Sequence, residues 1–354
     1  MCRFTVYKGR SIPIGNIILY PDHSLLHQSK DASYHPGVTD PKSKRNIRVN
    51  GDGFGVGWYS LDSPPEEGCC LFKLTSPAWS NVNLRNIGQY VRSPVIFGHV
   101  RAATASCSAY EHVVISDENC HPFKYGRYTF MHNGFIPQFS KVKRELCMML
   151  DDETYRGILG STDSEHIFAL FLNNLPDRHA QLSVEIIAET IESIISIILQ
   201  LFANKGLHAA CSFNLAVTDG INIISTRYRN GDQQPPSLYY SYGTNFSYEE
   251  GNFINRNHTT AHEIVISSAP LSRLSAEDLE ECYVKWNLIP KNHILMCVGD
   301  ENDISRVHSV KLRPMEVTGN DDLYVTETQC CLKPVDHIPH GIRSASQSDS
   351  NLSI

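Results

Sequence analysis

The sequence predicts a layered α+β fold. Segments of strand character fill both ends of the chain, and the two segments with helical periodicity stand together in the middle. Strands, then helices, then strands is the order of an α+β protein rather than of a regular βαβ alternation. The first strand is "CRFTVY", in which Cys2, Phe4 and Val6 alternate with Arg3, Thr5 and Tyr7. It puts a cysteine at the very start of a strand, directly after the initiator methionine. Residues 30–50 are polar and read as a loop. "NGDGFGVGWYS" then reads as a tight turn at 50–53 and a strand in which Phe54, Val56 and Trp58 alternate with glycines. Glycines in a strand let another backbone approach closely. No G-x-G-x-x-G register fits, so this is not a dinucleotide fingerprint. "SPVIFGHVRAAT" predicts a buried strand over 95–100 running into a polar end, and "YGRYTFMHNGF" a similar strand ending in His-Asn-Gly.

"STDSEHIFALFLNNL" opens a helix. Thr162 and Glu165 have capping-box spacing, and Asp163 falls in the first turn, where the helix dipole favours a carboxylate. Residues 184–202 predict a second helix with Ile187, Ile191, Ile194, Ile198 and Leu201 on one stripe and Gly206 as its stop. Its other face is acidic (Glu185, Glu189, Glu192), which suits a core helix better than a basic membrane-surface one. "SFNLAVTDG" and "INIISTRY" predict a hairpin turning at Asp219-Gly220. "LYYSYG", "EIVISSAPL" and "ILMCVG" continue the strands, and the Ser-rich tail from Ile342 is expected to be disordered.

With 354 residues and 41% hydrophobic content the chain can bury a sizeable core. Its net charge is -7 and its densest basic run, "KSKR" at 42–45, is short, so nucleic acid is not an expected partner. The eleven cysteines are odd in number and include two vicinal pairs, Cys69-Cys70 and Cys330-Cys331. No C-x-x-C occurs, which argues against a zinc ribbon or a thioredoxin-type site. Neither a signal peptide nor a membrane-spanning run is visible. The expectation is a reduced cytoplasmic protein that uses no membrane. His23 and His27 have i,i+4 spacing, but no third ligand or H-E-x-x-H supports a metal site.

Cys2 is the first candidate for chemistry. A small side chain at position 2 generally lets the initiator methionine be removed. The residue would then carry a free α-amine with a pKa near ~8 beside a thiol near ~8.5. Nucleophile and base would come from one residue. By position alone, Cys2 reads more readily as a small buried side chain. "GHVRAAT" sets His99, Arg101 and Thr104 at a strand end, and Arg101 is a planar fork that grips carboxylates, or a surface ion-pair partner. Asn133 and Gly134 of "MHNGF" offer donors to an oxyanion, or merely a turn. Asp163 is an acceptor for an ammonium group, or a helix-start carboxylate. Taken together, these groups describe a pocket for a γ-glutamyl compound: α-carboxylate and α-amine held at one end, an acyl group attacked at the other.

The order Cys2, "NGDGFGVGW", "GHVRAAT", "NCHPF", "MHNGF", "STDSE" resembles the glutaminase domain of class II glutamine amidotransferases, a branch of the N-terminal nucleophile hydrolases, over residues 2–298. The stand-alone subgroup with "MCRF", "GDGFG" and a late "W-x-x-I/V-P" fits best; here the last is "WNLIP", Trp286 to Pro290. That subgroup includes the fungal glutathione-degrading amidotransferase subunit and bacterial γ-glutamyl hydrolases of sulfur-containing metabolites. The resemblance implies a four-layer αββα sandwich of the N-terminal nucleophile hydrolase type over residues 2–300, then a strand-rich extension at 301–341 and the tail at 342–354. It implies Cys2 as nucleophile with its amine as base, Arg101 on the substrate α-carboxylate with Thr104 nearby, Asp163 on the α-amine, and Asn133 and Gly134 as oxyanion hole. The turn from Gly51 to Gly53 would line the pocket. His121 of "NCHPF" would gate the pocket or form its wall. His99 and His132 are expected to point to the other face and to be structural. No cofactor is implied. The expected reaction is hydrolysis of a γ-glutamyl amide, that of glutathione or glutamine, through a γ-glutamyl thioester. The fungal members work with a metallopeptidase-like partner subunit. Two alternatives stand beside this: a glutaminase subunit supplying ammonia to a separate synthase, and a non-catalytic interaction protein with the same fold.

Overall fold

A computed structural model describes residues 2–32, 49–103, 114–249, 252–257, 262–272 and 285–319. The expectations for Thr104, for removal of Met1, and for the tail beyond residue 319 lie outside the described residues. The strands are β1 (Arg3–Pro13), β2 (Phe54–Trp58), β3 (Cys70–Leu74), β4 (Arg92–Val100), β5 (Phe123–Tyr125), β6 (Tyr128–Phe135), β7 (Ser212–Thr218), β8 (Ile223–Arg229), β9 (Tyr239–Glu249), β10 (Asn252–Asn257), β11 (Glu263–Ser267), β12 (Asn287–Leu288), β13 (His293–Gly299) and β14 (Val307–Pro314). The α-helices are α1 (Gly15–Ile18), α2 (Leu25–Lys30), α3 (Val82–Tyr90), α4 (Lys143–Met148), α5 (Asp152–Arg156), α6 (Asp163–Asn174) and α7 (Val184–Asn204).

Among the described residues the strands form two antiparallel sheets. One runs β10-β9-β11-β1-β4-β2-β3, with β12 added on β9; the other runs β14-β13-β8-β7-β6-β5. Three apolar layers separate four structural ones. Phe4, Val6, Val95 and Phe97 of the first sheet meet Met131, Ala216, Ile223 and Leu295 of the second. The outer face of the first sheet, with Tyr7, Phe54, Val56 and Ile96, is covered by Ile17, Leu25 and Leu84 of α1 to α3. The outer face of the second, with Phe130, Leu215 and Ile294, is covered by α6 and α7. The fold is therefore an αββα sandwich.

The local signals act as their chemistry dictates. Ser183 caps α7 by accepting from Ile186 N, and Gly206 ends it at φ 63°, a left-handed conformation that glycine adopts without strain. By length and composition α7 could cross a membrane, yet Ile187, Ile191, Ile194, Ile198 and Leu201 are all buried against the second sheet. The β7–β8 hairpin turns on Asp219, whose Oδ1 accepts from Ile221 N at 2.9 Å and Asn222 N at 2.6 Å. The helical layer over the first sheet went unpredicted. Its helices have four, six and nine residues, the first two too short to display a period. Strand β14 pairs with β13 and so continues the second sheet.

Candidate active site

The site is built where β1 begins. Val100 pairs with Arg3 on one side and Phe54 on the other, which brings Cys2, Arg101 and Gly53 to one end of the first sheet. Arg101 N donates to Gly53 O at 2.8 Å and Asp52 N to Arg101 O at 3.1 Å. The Asp52 carboxylate then accepts from Ala103 N at 2.8 Å. These bonds hold the chain as it leaves β4. Against it lies Cys2: Ala102 N donates to Cys2 Sγ at 3.5 Å, and the thiol donates to Ala102 O at 3.7 Å. Burial pushes the Cys2 thiol pKa up; the Ala102 contact and the Arg101 charge pull it partly back. A thiol so placed stays protonated at neutral pH.

Arg101 is buried. Its Nη2 donates to Val114 O at 3.0 Å, while its Nη1 is buried with no partner among the described residues. Half of a guanidinium fork is thus engaged and half is left over. Val114 O also accepts from Asn119 Nδ2 at 3.1 Å, and Asn119 Oδ1 accepts from Ser161 N at 2.8 Å. Asn119 therefore ties this carbonyl to the start of α6.

There Thr162 caps the helix, accepting from Glu165 N. The reciprocal half of the capping box is absent, for the Glu165 carboxylate accepts instead from Leu159 N at 2.9 Å and Gly160 N at 2.7 Å. Asp163 Oδ2 accepts from Ile136 N at 2.8 Å, while Oδ1 accepts from Ser164 N at 2.7 Å and from Ser164 Oγ at 3.2 Å. Oδ2, with a single donor among the described residues, keeps acceptor capacity for another. The negative charge of Asp163 adds a small upward push on the Cys2 thiol pKa.

The second sheet supplies the other wall. Met131 lies in the layer between the sheets, so alternation along β6 turns Asn133 to the same side. The Asn133 Oδ1 is buried without a partner among the described residues. Gly134 follows, where a Cβ would lie 2.0 Å from Ser212 O and 2.4 Å from His132 Nε2. Only glycine fits there.

The histidines divide differently from the expectation. His132 does face the helices, its Nδ1 on Ser164 Oγ and its Nε2 on Ser212 O, both at 2.9 Å. His99 does not. It shares the inter-sheet face with Val95 and Phe97, because it stands an even number of residues from both, as does Arg101. There it stacks on His121 with ring centres 4.1 Å apart. His121 is buried, and both its ring nitrogens lack partners among the described residues. Burial lowers the pKa of His99 to about 3 and that of His121 well below its ordinary value. The pair is neutral at physiological pH. The segment carrying His121 reaches this place because β2 has a glycine at 55: a Cβ there would lie 2.1 Å from His121 O.

A cleft of about 400 Å³ opens elsewhere, between β3, β5 and α6, lined by Lys73, Phe123, Ile158, Glu165 and others. None of Cys2, Arg101, Asn133 and Asp163 lines it. Sequence reasoning missed Asp52 and Asn119. Both hold backbone rather than substrate, and a side chain bound to a distant main-chain group leaves no periodic signal.

A model of the class II glutamine amidotransferases matches residues 41–232. The chain belongs to that family. The matched stretch covers Gly53, Arg101, Asn133, Asp163 and β7, while Cys2 precedes it. Among relatives of this amidotransferase, the probable glutamine amidotransferase DUG3 of Saccharomyces cerevisiae is 33% identical over 311 residues, 83% of this chain and 81% of that protein. Two solved structures share the fold. A glutamine aminotransferase class-II domain protein from Silicibacter pomeroyi is 23% identical, with TM-score 0.54 over 89% of this chain and 99% of its own. The allosteric regulatory enzyme of purine biosynthesis is 15% identical, with TM-score 0.50 over 90% of this chain and 50% of its own.

Proposed function

We propose that this class II amidotransferase hydrolyses a γ-glutamyl amide bond, with glutathione as the substrate, through a thioester on Cys2. The observation that carries the reading is the idle, buried Nη1 of Arg101 beside the Cys2 thiol. A buried cationic donor left unpaired is costly, and an anionic substrate group removes that cost. In this reading Arg101 takes the α-carboxylate, with Thr104 nearby, and Asp163 takes the α-ammonium. The γ-carbonyl then lies at the thiol.

The Cys2 sulfur forms a bond to the γ-carbon as the α-amine of Met1-processed Cys2 takes the thiol proton. The Asn133 Nδ2 and the Gly134 N–H receive the oxyanion, each such donor being worth about 3 kcal/mol. The amine passes its proton to the leaving nitrogen as the C–N bond breaks. Water, deprotonated by the same amine, cleaves the thioester and releases glutamate. A metallopeptidase-like subunit is the partner that this reading adds. The second reading is a glutaminase that delivers ammonia to a synthase, favoured by the relative described as a probable glutamine amidotransferase.

The test is glutamate release by Met1-processed protein from glutathione and from glutamine, beside Cys2→Ala. Release from glutathione that vanishes in the variant supports the hydrolase. Release from glutamine alone moves the assignment to ammonia supply. Release that persists in Cys2→Ala overturns both.

A further inference from the structure

We propose that Asn214 is a further catalytic residue: together with Asn133 it supplies the carboxamide oxygens that hold the free α-amine of Cys2. This rests on the reading of that amine as the base.

The placement follows from two strands running the same way across the sandwich. On β1 the inter-sheet face is Cys2, Phe4, Val6 and Lys8 in order. On β7 it is Asn214, Ala216 and Thr218, ahead of the turn at Asp219. Ala216 lies with Phe4 and Val6 in the layer between the sheets. At the far end Lys8 meets the turn: a Cβ on Gly299 would touch both Ile221 O and the Lys8 side chain. With the middle and one end matched, the remaining ends, Asn214 and Cys2, face each other. Asn133 stands directly beside Asn214, its register partner across β6 and β7.

Asn214 is fully buried and only half satisfied. Its Nδ2 donates to Pro236 O at 2.8 Å, which fixes the orientation of the amide. Among the described residues its buried Oδ1 has no partner, and neither does that of Asn133. Arg227, on the next strand, donates to the same Pro236 O at 3.0 Å. The following residue, Ser237, donates to Ser268 O at 2.7 Å, and Ser268 Oγ accepts from Phe4 N at 2.9 Å. The amide is thereby braced against the strand that carries the nucleophile.

Two idle acceptors side by side call for a group with at least two N–H donors. A neutral primary amine has two and its protonated form three, whereas the backbone amide of an unprocessed chain has one. Removal of Met1 thus creates the donor that these oxygens lack. Both oxygens favour the ammonium over the neutral amine, so they set the pKa of the base.

The experiment is an NMR titration of the α-nitrogen in ¹⁵N-cysteine-labelled, Met1-processed full-length protein, in wild type, Asn214→Ala and Asn214→Asp. Loss of the oxygen in Asn214→Ala lowers the amine pKa. The carboxylate of Asn214→Asp raises it by about one pH unit. The acid limb of kcat/KM for glutamate release moves in the same directions. An amine pKa equal to the wild-type value in either folded variant overturns the proposal. The titration needs no substrate: a wild type that releases no glutamate would refute the hydrolase reading and leave the titration result to decide this one.

Discussion

Arg101 has one guanidinium nitrogen on Val114 O and the other buried and idle. A lysine at this position keeps the charge and loses the fork, because an ammonium cannot hold a backbone carbonyl and a carboxylate in one plane. Arg101→Lys is expected to lower kcat/KM for glutamate release by about 100-fold, with the greater part in KM, since the lost contact binds ground and transition states alike. Steady-state kinetics on the processed enzyme decide it; a loss confined to kcat would remove Arg101 from substrate binding. The sequence offered Arg101 as a clamp or as a surface ion pair. Its burial decides for an interior role, and burial is not written in the neighbouring residues.

At the scale of elements, β2 shows what its glycines are for. Position 55 must admit the backbone of the segment that carries His121. That crossing puts the stacked His99–His121 pair next to Arg101. A methyl group at Gly55 would meet a main-chain carbonyl at 2.1 Å, and a backbone cannot step aside as a flexible side chain can. Gly55→Ala is therefore expected to destabilise the protein by about 1–3 kcal/mol, the usual range for overpacking. It should also lower turnover more than a surface substitution of equal stability cost. Thermal unfolding and kinetics on the same sample test it, and an unchanged Tm would refute the close approach. The alternation of Phe54, Val56 and Trp58 with glycine was legible in the sequence, including the inference that some backbone comes near. Which backbone comes near was not, because it lies 66 positions away and on a loop.

At the scale of the whole molecule, the sandwich buries neutral histidines between its sheets. With a pKa of about 3 when folded, His99 stays uncharged where the unfolded chain, near 6.5, takes a proton. The unfolded state then binds more protons, so stability is full above about pH 6.5 and falls as the pH drops through the window between the two values. His121 acts in the same direction. From pH 7 to pH 5 the His99 contribution alone amounts to roughly 2 kcal/mol. Urea unfolding at both pH values should show wild type losing about that much more than His99→Phe, which keeps the stacked ring without the titrating nitrogens. Equal losses would mean that His99 titrates normally in the folded protein.

The chain's local chemistry carried much of this protein. Alternation placed Cys2, Phe4 and Val6 on one face. Helical spacing identified the buried stripe of α7. Asp219-Gly220 marked the hairpin, and Thr162 marked the start of α6. Each of these depends on residues a few positions apart, so a short window contains the cause. What brought Cys2 and Arg101 to one end of the first sheet was the pairing of β1 with β4, and what turned Asn133 toward that sheet was the stacking of one sheet on the other. Those contacts join residues far apart in the chain, Arg3 with Val100 within one sheet and Phe4 with Ala216 between the two, and hydrophobic burial drives them without regard to sequence order. The error over His99 has a different cause: it stands two residues before Arg101, which directly follows β4, so alternation puts both on one face, and the sequence contained that parity. Only its partner His121 and its desolvation await the closing of the two sheets over it.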